Sequence, residues 1–370
     1  MKGGDVTDAG RVGIIGAGQL GRMLALAGYP LGLQFAMLDP NSAACGGQVA
    51  PLTVAAFDDQ EALAALARQV DLVTFEFENV PVAALEFLAD RVEVFPRPAV
   101  LETAQDRLRE KECFAQLGIP TPAYRAVGSE GELQAAAAKL GLPAVLKTRR
   151  LGYDGKGQLV LRRESDLAAA WQVLGGAELI LESFVSFARE VSQVAVRGRD
   201  GAMVFYPLAE NTHRDGILHL SLARAGDPLQ TLAEDYTRRI MEHFSYVGVM
   251  AFEFFQTEAG LVANEIAPRV HNSGHWTIEG AETSQFANHL RAILGWPLGS
   301  TELVGQAAML NFIGELPATA DLLQYPGLHL HAYGKSAAPG RKVGHATLRL
   351  PAGVDLPAAL RRLTDALEMR

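Results

Sequence analysis

The chain has 370 residues, with 42 acidic and 33 basic side chains and a formal net charge of −9. This length exceeds what one hydrophobic core usually serves, so two or three domains are expected. The charge gives no reason to expect nucleic acid as a partner, no apolar run is long enough to cross a bilayer, and two cysteines, Cys45 and Cys113, exclude a disulfide framework. We therefore expect a cytoplasmic protein without membrane contact.

The first predicted unit alternates short apolar strands with helical stretches as far as about Phe95. This alternation is typical of a parallel sheet with helices on both faces. Its first strand leads into GIIGAGQLGR (residues 13–22), which has the G-x-G-x-x-G spacing of a dinucleotide site, and Asp39 follows the next strand where a ribose partner is expected. Taken alone, the motif favours NAD. Pro96 and Pro98 then mark the first boundary.

After the prolines the pattern changes to a charged helix (104–118), an alanine-rich helix near 135–139 and a strand that ends at Lys147. The glycine-rich loop 148–158 follows, and then come a strand, a helix and another strand. Residues 123–183 therefore predict a compact α+β lid. The longer strands that come next predict a larger, mostly antiparallel sheet.

Two acids lie in otherwise apolar strands, Glu253 in AFEFF and Glu265 in VANEIA. A carboxylate desolvated there needs a cation or hydrogen-bond donors, and salt bridges to Arg or Lys are one explanation. The turn TEAG joins the two segments, so the acids are expected to face each other across a hairpin. Together with Asn264 they offer oxygen ligands for Mg²⁺ bridging phosphates, which is the interpretation we favour.

The loop after Lys147 contains Gly152, Gly155 and Gly157. A lysine at a strand end usually extends to solvent, whereas a lysine beside a glycine loop suits nucleotide phosphates. Further along, SFVSFA lies between Glu182 and Glu190. It is either an interdomain linker or a segment that lines an adenine and a ribose.

Other polar residues cluster near the carboxyl end. In EIAPRVHNSGHW (265–276), His271 and His275 have the spacing of a zinc pair but no third ligand at a suitable distance in sequence. His213 by itself is most simply a surface histidine. The loop 335–345 carries three cations, which form either a solvated loop or a site for a phosphate monoester.

Together these motifs resemble the ATP-grasp superfamily and, much more closely, the 5-(carboxyamino)imidazole ribonucleotide synthetase family of purine synthesis. The similarity runs from GIIGAGQLGRML through TFEFENV, DRLREK and LKTRRLGYDGKGQ to NEIAPRVHNSGHWT and PGRKVGH, over nearly all of the chain. It implies an α/β and α+β architecture, the ATP-grasp fold. The parts would be an N-terminal Rossmann-like pre-ATP-grasp domain (1–103), an ATP-grasp domain (104–300) with its lid at 123–183, and a small β-rich C-terminal domain (301–370).

The resemblance also implies roles for individual residues. Asp154, Arg269 and His271 would be catalytic, and Asp154 is our candidate for orienting the amine or accepting its proton. Mg²⁺, with Mn²⁺ as an alternative, would be held by Glu253 and Glu265. ATP would be bound by Arg107, Lys147, Gly152, Tyr153, Asp154, Gly155, Lys156, Gly157, Gln158, Glu182, Ser183, Phe184, Val185, Glu190, His213, Asn264 and Glu265. The ribonucleotide and the transferred carboxyl group would be surrounded by Gln19, Glu76, Tyr153, Asp154, Lys156, Arg269, His271, Asn272, Lys335, Arg341 and Lys342.

The implied reaction is carboxylation of the exocyclic amine of 5-aminoimidazole ribonucleotide by ATP and bicarbonate through carboxyphosphate. It requires neither NAD nor biotin, and the family implies a homodimer. The first glycine motif would then seat the ribonucleotide. Alternatives are a formate-dependent glycinamide ribonucleotide transformylase, an NAD(P)-dependent oxidoreductase and a nucleotide sensor without catalysis. Two positions depart from the family pattern: Leu151 stands where glycine is usual, and Lys156 where many relatives have arginine.

Overall fold

The structure is a computed structural model that describes residues 10–152 and 155–368. In these residues the strands form three sheets, the first of which is parallel with the order β3-β2-β1-β4-β5. Its strands are β1 Arg11–Ile15, β2 Gln34–Asp39, β3 Leu52–Val54, β4 Leu72–Phe75 and β5 Glu93–Val94. Its helices are α1 Gln19–Gly28, α2 Gln60–Ala67 and α3 Val82–Ala89. Strand β4 is buried at every position, as expected for a parallel sheet covered on both faces. The predicted α/β unit is confirmed.

Two helices follow where one charged helix was predicted. They are α4 Pro98–Ala104 and α5 Arg107–Gln116. Pro98 stands in the first turn of α4, where its fixed φ suits a helix and its missing N–H is not needed, so it starts a helix instead of only ending the preceding unit. Asp106 caps α5 by accepting a hydrogen bond from the Leu108 N–H at 3.0 Å. The predicted start at Ala104 is therefore wrong.

The second sheet has the strand order β6-β9-β7-β8. Its strands are β6 Tyr124–Val127, β7 Ala144–Thr148, β8 Gln158–Leu161 and β9 Leu179–Ser183. Its helices are α6 Glu130–Leu140 and α7 Asp166–Leu174. Leu133, Leu146 and Leu181 form part of a separate core between the helices and the sheet. This unit occupies the range for which the lid was predicted.

The third sheet is antiparallel, with the order β15-β14-β10-β12-β13-β16-β18-β17 and β11 paired to β10. Its strands are β10 Arg189–Arg197, β11 Met203–Phe205, β12 Ala209–Arg214, β13 Ile217–Ala223, β14 Gly248–Thr257, β15 Gly260–Ala267, β16 Gln306–Ile313, β17 Leu328–Ala332 and β18 Lys342–Leu350. The larger antiparallel sheet is confirmed. The predicted strand 202–211 is broken into β11 and β12 around Pro207, which has no N–H for the ladder.

Strands β16–β18 come from the segment predicted as the C-terminal domain, and they extend the third sheet through the pairing of β13 with β16. The remaining helices are α8 Gln230–His243, α9 Thr277–Gly280, α10 Gln285–Leu294, α11 Thr319–Leu322 and α12 Leu356–Glu368. Helix α10 joins the first and third sheets: His289 lies 2.9 Å from the Thr74 hydroxyl on β4 and accepts the Val249 N–H on β14 at 3.1 Å. Within the described ranges, no helix combines the length and apolar character needed to cross a bilayer.

Candidate active site

A pocket of about 670 Å³ opens where the three sheets approach one another. Its walls come from the loop after β4, from α5, and from β7, β8, β14 and β15. Residues from all parts of the predicted site therefore share one cavity. Those that line it are Gln19, Glu76, Arg107, Lys147, Gly152, Gly155, Gln158, Phe184, Glu190, His213, Glu253, Asn264, Glu265, Arg269, His271, Asn272 and Lys342.

The other predicted site residues that the structure describes do not line this pocket: Lys156, Gly157, Glu182, Ser183, Val185, Lys335 and Arg341. Two of them are one contact away from its wall. The carboxylate of Glu182 accepts a hydrogen bond from Lys147, and Lys335 donates one to Gln19. Glu182 and Lys335 are thus linked to the pocket through the lining residues Lys147 and Gln19.

The glycine-rich loop between β7 and β8 has left-handed backbone at Gly155 (φ 74°) and Gly157 (φ 71°). Leu151 also has a positive φ of 62° and is 73% exposed. A left-handed backbone costs a residue with a Cβ about 1–2 kcal/mol, so the leucine occupies a position whose conformation favours glycine. Tyr153 and Asp154, both predicted to contact substrates, lie outside the described residues.

Glu253 and Glu265 lie directly opposite each other on β14 and β15, as the hairpin prediction required. The register shifts immediately after Glu253, so a β-bulge turns the strand at the acids. Burial, followed by the charge of Glu265, raises the pKa of Glu253 to about 7. Burial also acts on Glu265, but Arg107, which donates a hydrogen bond to it at 2.8 Å, lowers the pKa of that carboxyl group. The pair therefore places two carboxyl groups opposite each other in the cavity, where a cation would favour the charged form of both.

The ligand atoms at this hairpin fit Mg²⁺. Glu253, Asn264 and Glu265 offer oxygen donors, which Mg²⁺ prefers, and Mg²⁺ completes its shell with water and phosphate oxygens. Among residues 10–152 and 155–368, no group of three or more His, Cys, Asp or Glu side chains is arranged to hold a metal. The proposed zinc pair is not supported either, because His271 faces Glu253 while His275 packs against the ring of His345 at 4.7 Å.

Lys147 ends β7 but does not extend to solvent: it is 7% exposed. Its Nζ donates to Glu182 on β9 at 2.8 Å, and Lys111 Nζ lies 4.0 Å from the same carboxylate. Burial opposes ionisation of Glu182, yet these two lysines lower the pKa of its carboxyl group. A buried lysine whose position is fixed by a carboxylate presents a positive charge at the pocket wall, where a phosphate group is attracted.

His271 is held by a chain of buried hydroxyl and amide groups. Its Nδ1 lies 2.8 Å from the Ser273 hydroxyl and accepts the Ser273 backbone N–H at 3.3 Å. The Ser273 hydroxyl accepts from Ser192 at 2.7 Å, and Ser192 accepts from Asn211 at 3.0 Å. Burial and the nearby Arg269 keep the pKa of His271 well below its usual range. The neutral ring therefore carries its proton on Nε2, which faces Glu253 at 3.4 Å.

The other end of the pocket has apolar walls. Phe187 stacks on Phe255 with ring centroids 4.8 Å apart, and Phe184 lies nearby on the same wall. Beside them, His213 Nδ1 lies 2.6 Å from Glu190. Burial opposes protonation of His213, but Glu190 raises the pKa of the imidazole. A flat apolar surface next to a polar pair is suited to a planar base attached to a sugar.

The G-x-G-x-x-G turn uses its backbone donors within the protein. Asp39 accepts the Ala17 N–H at 2.8 Å, Glu76 accepts the Gly21 N–H at 2.7 Å, and Glu76 also accepts the Gly18 N–H. Burial raises the pKa of Glu76, and these backbone N–H groups act in the opposite direction. The carboxylate thus occupies the position at the start of α1 where a dinucleotide would place its pyrophosphate. This geometry argues against the NAD interpretation.

Cations of the loop 335–345 reach the same side of the pocket. Lys335 bonds to Gln19, at the start of α1, and Lys342 lines the pocket wall. Arg341 donates to the Ser336 hydroxyl at 2.7 Å. Arg269, which also lines the pocket, forms an ion pair with Glu78. This end of the cavity is therefore polar and cationic.

Several residues of the site were not identified from the sequence. Arg149 lines the pocket and makes a two-point contact with Asp106, at 3.0 and 2.6 Å. Glu110 lines it as well, and burial raises the pKa of its carboxyl group to about 8. Lys111 is fully buried beside it. In DRLREK, the positions of Arg107, Glu110 and Lys111 share one helix face, and this spacing is the signal that could have identified them.

Comparisons with known proteins cover almost the whole chain. Family models match as follows: the ribonucleotide synthetase preATP-grasp domain at residues 10–105, the ATP-grasp domain at 112–286, and the phosphoribosylaminoimidazole carboxylase C-terminal domain at 307–352. The chain is 57% identical to an N5-carboxyaminoimidazole ribonucleotide synthase of Pseudomonas aeruginosa, over 97% of this chain and 99% of that one.

Solved structures also superpose over almost the whole chain. The N5-carboxyaminoimidazole ribonucleotide synthetase of Thermus thermophilus superposes with a TM-score of 0.92 and 56% identity, over 96% of this chain and 98% of that one. A synthase from Aspergillus clavatus, in complex with ADP and 5-aminoimidazole ribonucleotide, superposes with a TM-score of 0.90 and 32% identity, over 98% of this chain and 100% of that one.

Proposed function

The chain belongs to the N5-carboxyaminoimidazole ribonucleotide synthase family, and from this premise we propose how its pocket divides between two substrates. It is an ATP-dependent ligase of purine biosynthesis that carboxylates 5-aminoimidazole ribonucleotide. We assign the apolar end of the pocket to ATP and the cationic end to the ribonucleotide. The observation that carries the assignment is the opposition of Glu253 and Glu265 between these two ends.

The adenine of ATP packs against Phe184 and Phe187, and Glu190 with His213 receives the ribose. The phosphates then extend toward Lys147 and Arg107. Glu253 and Glu265 hold Mg²⁺, for which Mn²⁺ can substitute, with Asn264 next to them. When bound, the metal neutralises charge on the phosphates and on the transferred phosphoryl group. Arg107 bonds to Glu265 in the structure and would therefore lie beside the metal and the phosphates that this acid would hold.

The ribonucleotide occupies the other end. Its phosphate monoester is attracted to the loop that carries Lys335, Arg341 and Lys342, and Gln19 fixes Lys335 in place. Glu76 holds the glycine turn closed against a dinucleotide and shapes the wall at that end. Asn272 exchanges two amide hydrogen bonds with Asn311, at 3.0 and 2.6 Å, and so presents a fixed edge to the substrate.

Carbon transfer requires two steps. An oxygen of bicarbonate attacks the γ-phosphorus of ATP, ADP leaves, and carboxyphosphate forms. The exocyclic amine then attacks the carboxyl carbon, the N–C bond forms, the C–O bond to phosphorus breaks, and inorganic phosphate leaves with the electron pair. Arg269 and the Nε2–H of His271 stabilise charge on the carboxyl group. Asp154, on the glycine loop, accepts the amine proton. Closure of the loop over both substrates excludes water from carboxyphosphate.

Phosphate release from ATP tests the reaction when it is measured with bicarbonate and the aminoimidazole ribonucleotide, together and singly. Release should require both, and label from ¹⁴C-bicarbonate should appear on the ribonucleotide. If glycinamide ribonucleotide and formate replace them with equal turnover, the chain is a transformylase instead. Release that is independent of any ribonucleotide would contradict the proposal.

The base is tested by Asp154→Ala. Carboxylation should fall far more than ATP affinity, because the side chain acts on the amine and not on the nucleotide. Asp58→Ala, at an exposed loop position, is the matched control and should be unchanged. Unchanged turnover in Asp154→Ala would exclude this role.

The homodimer also stays a prediction, which light scattering in solution can test.

A further inference from the structure

Helix α5 presents three charged side chains on one face, Arg107, Glu110 and Lys111. Their spacing of three and four residues places them side by side along the helix. Glu110 and Lys111 are 1% and 0% exposed. The function assigned above uses only Arg107. The burial of two further charges beside it requires a separate explanation, since a charge away from water is costly unless it is hydrogen-bonded.

The face of α5 lies against the free edge of the third sheet. Strand β15 is the terminal strand of that sheet and pairs with β14 on one side only. An edge strand leaves N–H and C=O groups without ladder partners, and these groups must be satisfied in another way when they are buried. In β15 these groups lie in the segment 263–266, which includes Asn264 and Glu265 of the candidate metal site.

Two side chains of α5 take the place of the missing strand, together with the segment after the helix, where the Pro120 carbonyl accepts the Ala263 N–H at 2.7 Å and the Thr121 hydroxyl donates to the Ala263 carbonyl at 3.2 Å. Lys111 Nζ donates to the carbonyl oxygen of Asn264 at 2.5 Å and to that of Ala263 at 3.3 Å. Glu110 Oε1 accepts the backbone N–H of Ile266 at 2.8 Å. The backbone is therefore held on both sides of Glu265, while Arg107 holds the carboxylate of Glu265 itself.

A salt bridge alone does not explain Lys111. Its Nζ lies 4.0 Å from the carboxylate of Glu182, whereas its hydrogen bond to the Asn264 carbonyl is much shorter. The lysine is therefore directed at the backbone of β15. The same holds for Glu110, whose hydrogen bond goes to a backbone N–H.

We propose that Glu110 and Lys111 are positioning residues that fix the backbone of Asn264 and Glu265 for the divalent cation and the nucleotide phosphates. This inference rests on the proposed metal site. The positioning role predicts that metal binding depends on the length of the Glu110 side chain and not on its charge, because a backbone N–H needs an acceptor at one position.

Glu110→Gln and Glu110→Asp separate reach from charge. Glutamine keeps an oxygen at the same distance and loses the charge, whereas aspartate keeps the charge and is one methylene shorter. Binding of Mn²⁺ in the presence of ADP is measured by electron paramagnetic resonance, and the melting temperature is measured in parallel. We expect Glu110→Asp to weaken Mn²⁺ binding about tenfold and Glu110→Gln to stay within about twofold of the natural chain. Lys111→Met should weaken Mn²⁺ binding as Glu110→Asp does.

Glu265→Gln in the same assay distinguishes this inference from the proposed function. If it abolishes Mn²⁺ binding and Glu110→Asp leaves binding unchanged, the positioning role is refuted and the metal site stands. A lower melting temperature of Glu110→Asp with unchanged Mn²⁺ binding means a merely structural role and refutes it as well. A loss of Mn²⁺ binding in Glu110→Gln with normal binding in Glu110→Asp would show that charge matters instead of reach, and would refute the positioning role. If Glu265→Gln binds Mn²⁺ normally, both the metal site and the positioning role are wrong.

Discussion

The turn between β1 and α1 and the hairpin of β14 and β15 both have glutamates at the pocket wall, Glu76 against the turn and Glu253 with Glu265 on the hairpin, but they leave different groups for a ligand. In the turn, Glu76 accepts the N–H groups of Gly18 and Gly21, so the donors of the glycine motif are used within the protein. In the hairpin, Glu253 faces another carboxylate, and burial together with that neighbour raises its pKa to about 7. A phosphate-binding motif therefore indicates a nucleotide only where its polar atoms are still available.

The strongest test of the comparison removes one acid from the hairpin. Glu265→Gln should lower turnover by about 10³-fold or more, because it deletes a charge that holds the metal and the phosphoryl group. Steady-state phosphate release with both substrates measures the effect. Glu258→Gln, in the exposed turn of the same hairpin, is the control and should retain full activity. A Glu265→Gln variant with near-normal activity would show that the acids do not act as a pair.

Removing the acid of the glycine turn should act on stability. Glu76→Ala leaves two backbone N–H groups without their acceptor, at about 1–3 kcal/mol for each buried group, so the free energy of unfolding should fall by roughly 2–6 kcal/mol. Denaturant unfolding measures it, with Glu86→Ala on the exposed face of α3 as the control. Enhanced NADH fluorescence with the natural chain would contradict the claim that Glu76 uses the donors of the turn, because it would mean that the turn binds a dinucleotide.

The two sheets that carry these regions are joined by His289, which bonds to β4 on one side and β14 on the other. Burial lowers the pKa of this histidine to about 3, whereas the unfolded chain titrates near 6.5. Below pH 6.5 the unfolded state binds the additional proton, so this histidine alone should lower stability by about 1.4 kcal/mol per pH unit as the pH decreases toward 3.

Urea unfolding at several pH values measures this slope. His289→Gln should reduce the slope by the contribution of about one proton taken up on unfolding. The exposed His243→Gln should leave the slope unchanged. An unaltered slope in His289→Gln would mean that the histidine does not join the two regions in its neutral form.

The second glycine loop should show the smallest effect. Leu151→Gly relieves the positive φ but gives the unfolded chain more freedom, so the two contributions oppose each other and the net change in stability should be below about 1 kcal/mol. KM for ATP should stay within about threefold. A larger increase in KM would show that the leucine side chain contacts the nucleotide, which would make this loop differ from a simple glycine flap.

Local patterns in the sequence predict the hairpin well, because a short turn between two apolar strands leaves Glu253 and Glu265 only one way to pair. They do not predict that Lys147 is buried, since its partner Glu182 lies on another strand 35 positions later. The same limit applies to β16, whose pairing with β13 merges the predicted C-terminal domain into the third sheet. Long-range pairings of this kind depend on the whole fold, and no local pattern contains them.

The claim that the hairpin, and not the glycine turn, binds the metal and the nucleotide is tested most directly by a crystal structure of the chain with Mg²⁺ and a non-hydrolysable ATP analogue. Our account predicts density for the metal between Glu253 and Glu265, the triphosphate beside Arg107 and Lys147, and Glu76 still bonded to the glycine turn. A triphosphate bound at Gly16–Gly21, or a metal away from both glutamates, would contradict it.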